Sequence, residues 1–298
     1  MSTTALMGIE NEFEVTDNQG QAVDGKSIYD LLLSKVKIPY FKLGGTAVRL
    51  ATGGSFYIDG KEPEVTSAPY PLEKEAVTAL AVNLVMNRNV LAQAMQDINA
   101  ENEKNGKNTY QLNGHSAHYN FTLPEISAER ERGEGESTQY ERRRDLCFLL
   151  ARTVNPALQL LLENRKSSGI MFRYREDGRI EICADFVPHL EDMVSGIGFQ
   201  TAMLTTIDTW FKKGATIEDI TEKLQYLLPD MRVDVTTSRP GYTCKTPEVI
   251  TVGREAMVNV SDPAGAKHTL SAQALLEHYA NIFEGAMDAV LSEQEKKV

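Results

Sequence analysis

The chain has 298 residues, 42% hydrophobic and 24% charged, with a formal net charge of −11. This is the composition of a globular domain, and the acid excess argues against a non-specific nucleic-acid binder, whose affinity comes from a basic surface meeting phosphates. The longest apolar run, residues 79–86, is too short and too interrupted to span a bilayer, and the first residues lack the basic start and apolar core of a secretory leader. Cys147, Cys183 and Cys244 are spaced too widely for a disulfide framework or a zinc pattern, so a reducing, cytoplasmic location is the expectation.

The stretch Met7-Gly8-Ile9-Glu10-Asn11-Glu12-Phe13 reads as a strand, with Ile9, Phe13 and Val15 as its apolar side. Short strands follow at Val48–Leu50 and Phe56–Asp59, turned at Gly53-Gly54. Pro71 to about Asn99 reads as a helix: Pro71 suits an early position, Glu73 and Glu75 favour the first turn, and Val77, Leu80, Leu84 and Leu91 repeat at helical spacing. Asn99–Asn113 reads as a loop, and Ser116–Leu123 as a strand. On that strand Ser116, His118, Asn120 and Thr122 share one face, and Ala117, Tyr119, Phe121 and Leu123 share the other.

Glu125–Ser137 reads as a charged loop, and Tyr140–Glu163 as a helix with Pro156 as a candidate kink. Arg142, Arg143 and Arg144 lie on it beside Glu141 and Asp145, the pattern of a surface ion-pair network. The strands Ile170–Tyr174 and Arg179–Ala184 flank a hairpin signal, Glu176-Asp177-Gly178. Three helices complete the chain: Glu191–Lys212, Thr216–Leu228 with Thr216 as N-cap, and Ser271–Glu293 with Ser271 as N-cap. The pattern is α+β, a largely antiparallel sheet with helices on one face.

Four short segments carry chemistry-bearing residues at strand spacing. Glu10 and Glu12 point the same way, roughly 6–7 Å apart along a strand, which at an effective dielectric of about 20 costs on the order of 2–3 kcal/mol. A hard divalent cation between them relieves that repulsion, and a solvated face on an edge strand tolerates it. Asp59 and Glu64 form the second set, with Asp59-Gly60 also reading as a hairpin turn. His118 and Asn120 form the third, and Arg179 and Glu181 the fourth. Singly, His118 is also a sheet histidine, and Arg179 with Glu181 an ion pair of little worth. Together they put acids, a histidine and arginines on one face, the composition of a site for divalent metal and ATP.

These segments resemble, in order along the chain, the Pup ligase and depupylase family (the proteasome accessory factor A group) within the glutamine synthetase and glutamate–cysteine ligase superfamily. Met-Gly-Ile-Glu-Asn-Glu-Phe (Met7–Phe13) resembles the family's opening strand. Phe56-Tyr57-Ile58-Asp59 followed by Pro63-Glu64 resembles its aspartate strand and His-Pro-Glu segment, with Glu62 in place of the histidine. His118-Tyr119-Asn120 resembles its His-Glu-Asn segment, and Arg179-Ile180-Glu181 its Arg-Leu-His strand, with Glu181 replacing histidine as in glutamine synthetase. Val258–Phe283 is similar to the family's closing segment.

The resemblance implies a curved antiparallel sheet that holds ATP and Mg²⁺ in a single glutamine synthetase-like catalytic domain over residues 1–298, without the small C-terminal domain of Pup ligases. Glu10, Glu12, Glu64, His118 and Glu181 would be the metal ligands. Arg165, Arg173, Arg175, Arg179 and Asn120 would hold the nucleotide. Asp59 would be the general base, with Arg179 beside the reacting groups. The implied activity is a carboxylate–amine ligase: a substrate carboxylate takes the γ-phosphoryl group of ATP, and an amine acceptor then displaces phosphate. A small protein modifier is one candidate for the carboxylate partner. Cys183 falls where many glutamate-activating relatives carry arginine, which leaves the acid open. An amide or isopeptide hydrolase on the same fold is the alternative. The depupylase's early insertion has no counterpart between Glu14 and Asp59, which favours the ligase. A non-catalytic nucleotide-binding module is the third reading, with no nucleic-acid or membrane partner in any of the three.

Overall fold

Strand β1 (Leu6–Asp17) forms the centre of the fold and alternates strictly: Met7, Ile9, Asn11, Phe13 and Val15 are buried, while Glu10 and Glu12 face the opposite side. The computed structural model describes residues 5–73, 75–127, 136–162, 170–229, 235–236, 239–244 and 246–290. In chain order β1 is followed by α1 (Gly25–Lys35), β2 (Tyr40–Gly44), β3 (Ala47–Leu50), β4 (Ser55–Asp59), β5 (Glu62–Thr66) and β6 (Tyr70–Pro71). Then come α2 (Ala76–Lys104), β7 (Tyr110–Thr122), α3 (Pro124–Ser127), α4 (Glu136–Arg152), α5 (Asn155–Leu161), β8 (Met171–Tyr174) and β9 (Ile180–Asp185). The last third comprises α6 (Leu190–Lys212), α7 (Ile217–Leu224), β10 (Val235–Thr236), β11 (Arg239–Thr243), α8 (Pro247–Val252), β12 (Met257–Ser261), β13 (Lys267–Ser271) and α9 (Ala272–Val290).

Among the described residues one sheet of eleven strands runs in the order β10-β11-β8-β9-β7-β1-β5-β4-β3-β2, with β6 pairing separately with β1. All of its pairings are antiparallel. β12 and β13 form a second small hairpin sheet. The mixed α+β architecture with a large antiparallel sheet matches the fold class read from the sequence. Among the described residues no helix is long and apolar enough to cross a membrane.

The helices supply the other half of the core. α2 packs on β1, β5 and β7, α6 packs on α2 and α9, and α4 packs on β8 and β11. Tyr119 and Phe121 from β7, Phe56 from β4, Phe172 from β8, and Leu80 and Leu84 from α2 are fully buried. Each such side chain contributes about 1.5–3 kcal/mol by leaving water. The core-facing Asn11 is buried too, and Arg88 of α2 reaches it: Arg88 Nε donates to Asn11 Oδ1 at 2.6 Å and Nη2 to the Val187 carbonyl at 2.9 Å, with the guanidinium over the Phe186 ring. This latch lies on the underside of the segment that presents Glu10 and Glu12.

Several boundaries differ from the sequence reading. α2 starts at Ala76, because Pro71 and Tyr70 pair with β1 and Glu75 takes the left-handed conformation at φ 68°. It continues to Lys104, and β7 already begins at Tyr110, so the expected loop shrinks to a few residues. Side chains close that turn: Asn99 bonds the Tyr110 backbone, and Asn102 donates to the Asn108 carbonyl. The expected single helix over 140–163 is two, α4 and α5, with Pro156 near the start of the second, where its missing N–H costs nothing. Thr216 caps α7 with a reciprocal Asp219 bond, but the helix ends at Leu224 rather than Leu228. Arg144 pairs with Asp145 as expected, whereas Arg143 turns into the core. Helices α1, α3 and α8 and strands β2, β6, β10, β11, β12 and β13 have no counterpart in the sequence reading, α3 lying within the expected loop from Glu125.

Candidate active site

Residues opposite each other in an antiparallel pair point to the same face, so the register decides what converges. Glu10 lies opposite Thr66 of β5 and His118 of β7. Glu12 lies opposite Glu64 and Ser116. Asn120 lies opposite Glu181, and Glu181 opposite Arg173. Tyr57 lies opposite Glu64, and Asp59 opposite Glu62. The face of the sheet opposite the buried side chains therefore carries Glu10, Glu12, Glu64, His118, Asn120, Glu181, Arg173 and Asp59 across six adjacent strands.

Glu10, His118 and Glu181 each offer a ligand atom within 4.8 Å of the other two. His118 Nδ1 is 3.9 Å from Glu10 and 3.6 Å from Glu12, and its side chain is almost wholly buried. Glu10 accepts from Tyr57 Oη at 2.5 Å and from Asn120 Nδ2 at 2.7 Å. Ser116 Oγ donates to Glu12 and lies 3.4 Å from His118 Nε2. Glu64 is 2% exposed. Burial, and then repulsion from Glu12, Glu10 and Asp59, pushes its carboxyl up to about 9 against the hydrogen bond from Tyr57. Burial likewise pushes the Tyr57 phenol far up, and the charges of Glu10 and Glu64 add to it, so Tyr57 keeps the proton it donates to Glu10.

The arginines fall into two groups. Arg173 Nη1 is 3.2 Å and Arg175 Nη1 3.8 Å from Glu181 Oε2. Arg179 bonds Asp177 Oδ2 at 2.8–2.9 Å across its own hairpin turn and donates to Asn120 Oδ1 at 3.1 Å. The simple Arg179–Glu181 pair open to the sequence is not what forms. Arg179 precedes β9, and the tight turn at Gly178 (φ 87°) brings Asp177 within bonding distance of its guanidinium. Arg165 lies outside the described residues. Cys183 faces the same side, opposite His118, where burial and the Glu181 carboxylate push its thiol well up.

Beside the acids a cavity of about 390 Å³ opens toward β3, lined by Glu10, Ser55, Tyr57, Asn120, Arg179 and Arg49. Tyr57 and Arg49 were not singled out in the sequence. Tyr57 was legible, because it shares parity with Asp59 in Ser55-Phe56-Tyr57-Ile58-Asp59. Arg49 alternates with the buried Val48 and Leu50, but only the register opposite Ser55 brings it beside the cavity at Glu10. Asp59 ends β4 immediately before the Gly60 turn (φ 59°), so the hairpin and the polar-face readings both hold.

No family model matches the sequence, and no curated protein sequence matches it. Among solved structures, the complex between the prokaryotic ubiquitin-like protein Pup and its ligase PafA superposes with a TM-score of 0.50 at 12% sequence identity. The match covers 99% of this chain and 62% of that one. The fold is Pup-ligase-like. At that identity the likeness is one of architecture. It joins the independent observation that the acids and arginines converge on the sheet face opposite the core.

Proposed function

We propose that this protein is an ATP- and Mg²⁺-dependent carboxylate–amine ligase, with residues 1–298 as one glutamine synthetase-like catalytic domain. The observation that carries the reading is the convergence of Glu10, His118 and Glu181 within 4.8 Å, bordered by Glu12 and Glu64. Buried carboxylates this close repel, and Glu64 holds a proton in the absence of a cation. The donor set tests well against a hard divalent ion: it is mostly carboxylate oxygen, which suits Mg²⁺, and its one imidazole also suits Mn²⁺. When bound, such an ion would neutralise phosphate charge.

The chain's own residues account for the rest. Arg173 and Arg175, beyond Glu181, would hold phosphate oxygens, with Asn120 and Arg179 beside them. The substrate carboxylate oxygen attacks the γ-phosphorus of ATP, the bond to the β–γ bridging oxygen breaks, and ADP leaves. The amine then attacks the acyl carbon and inorganic phosphate leaves. Asp59 accepts the proton from the amine. Glu12 is held by Ser116, and Glu10 by Tyr57 and Asn120, so these carboxylates need little reorganisation. The small protein Pup, partner of the structurally similar ligase, makes a polypeptide modifier a candidate carboxylate donor.

The test is ADP release from purified protein supplied with Mg²⁺, ATP, hydroxylamine as the amine, and pools of carboxylates that include peptides ending in glutamate. Ligase activity gives ADP and hydroxamate in equal amounts. Amide cleavage without net ATP turnover would replace this reading with a hydrolase.

A further inference from the structure

Strand β7 carries a bulge where it passes Glu12. Glu12 pairs with Ser116 and Phe13 with Gly114, so His115 is the extra residue. A bulge re-aims the side chains beside it. His115 meets Glu14, with Nδ1 at 3.3 Å from its carboxylate, and Ser116 meets the acids of the site. Ser116 and His118 share a face, roughly 6–7 Å apart along the strand, and their side chains close most of that gap: Oγ and Nε2 are 3.4 Å apart. Asp185 of β9 lies opposite Ser116 on its other flank, so carboxylates stand on both sides of the hydroxyl.

A serine hydroxyl has one hydrogen to give. Ser116 gives it to Glu12 Oε2. Toward His118 its oxygen can then only accept, so Nε2 carries the hydrogen of that contact. The other ring nitrogen points at the acids: Nδ1 is 3.6 Å from Glu12 Oε1 and 3.9 Å from Glu10 Oε1. A neutral imidazole with its hydrogen on Nε2 presents a lone pair at Nδ1. A lone pair among carboxylate oxygens has nothing to donate to them, and a shared cation reconciles the two. Glu10 and Glu181 offer their own ligand atoms within 4.8 Å of that ring. The same hydroxyl pins one oxygen of Glu12 and leaves the other beside Nδ1.

We infer that Ser116 is a positioning residue for the ion site: its hydroxyl holds the His118 ring with Nδ1 as the ligating atom and Nε2–H turned away, and holds Glu12 through the same oxygen. The inference rests on the reading of Glu10, His118 and Glu181 as an ion site. A ligating histidine is oriented by the bond that its second nitrogen makes, commonly to a carboxylate or a backbone carbonyl. Here a serine takes that place and passes the bond on to Glu12.

The probe is Cd²⁺ as its spin-active isotope, added to protein with isotope-labelled histidine nitrogens and read by nuclear magnetic resonance. The His118 signal is the one missing from His118→Gln. A cadmium–nitrogen coupling should appear on Nδ1, with a bonded hydrogen on Nε2. Ser116→Ala should lose that single arrangement and weaken Mn²⁺ binding, measured by calorimetry, about 10–100-fold. Ser116→Thr keeps the hydroxyl at a partly buried strand position and should bind Mn²⁺ within about threefold of wild type. Coupling on Nε2 overturns the inference and leaves the ion site standing. So does a Ser116→Ala protein that keeps both the Nδ1 coupling and the Mn²⁺ affinity, or a Ser116→Thr protein as weak as Ser116→Ala. A wild-type chain that binds neither Mn²⁺ nor Cd²⁺ overturns both the inference and the site reading.

Discussion

The Tyr57 hydroxyl donates to Glu10 Oε2 at 2.5 Å, tying the fourth strand of the sheet to a carboxylate of the central one. The bond fixes one oxygen of Glu10 while Asn120 holds the other at 2.7 Å. Groups that orient a metal ligand are worth about 10–100-fold in metal affinity. Tyr57→Phe is therefore expected to weaken Mn²⁺ binding by about that factor while the far-ultraviolet circular dichroism stays unchanged. Calorimetric titration checks it, and unchanged affinity would mean that Tyr57 serves only packing.

Glu64 gives the site a pH dependence of definite sign. Its folded carboxyl titrates at about 9, against an ordinary value of 4.5, because burial and neighbouring acids disfavour the charge. The stabilising contribution of the protonated form is complete below the ordinary value and is lost as pH rises toward 9. Metal-free protein should therefore lose stability across that window, and a cation binding at the acids should displace the proton. Calorimetry of Mn²⁺ binding in buffers of different ionisation enthalpy should show proton release at pH 7. Glu64→Gln should abolish the release and flatten the stability profile.

The latch between Arg88 and Asn11 predicts a stability effect from the side of β1 opposite Glu10 and Glu12. Arg88→Leu leaves the Asn11 amide oxygen and the Val187 carbonyl without their donor in a buried setting. The cost is expected at about 2–4 kcal/mol by urea denaturation. Metal affinity should fall as well, because Asn11 lies between Glu10 and Glu12 on β1.

Asp59→Asn keeps size and shape and removes the proton acceptor. Turnover in the ADP-release assay should fall by at least about a hundredfold, with Mg·AMPPNP affinity within a factor of about two. A fully active variant would remove Asp59 from the role of base.

The polar face was legible wherever a strand alternated cleanly. Parity alone assigned Glu10 and Glu12, His118 and Asn120, and Arg179 and Glu181 to common faces, because their intervening residues are Asn11, Tyr119 and Ile180, all buried. Register was not legible. Nothing local says that Glu10 meets His118 or that Arg49 meets Phe41, since those pairings depend on turns and a bulge after Glu12. β2 escaped notice because its exposed Phe41 and Leu43 contradict the rule that apolar residues seek a core. The α2 start was misplaced because Pro71 serves a short strand as well as it serves a first helical turn.

Under the proposed function Glu10, His118 and Glu181 together hold a divalent ion used with ATP. Electron paramagnetic resonance of Mn²⁺ titrated into the wild-type chain, with and without ATP, tests it most directly. At least one Mn²⁺ is expected to bind, more tightly with ATP, and to be lost in Glu10→Gln and in Glu181→Gln. Mn²⁺ binding that survives both substitutions undiminished, or that ignores ATP, would contradict it.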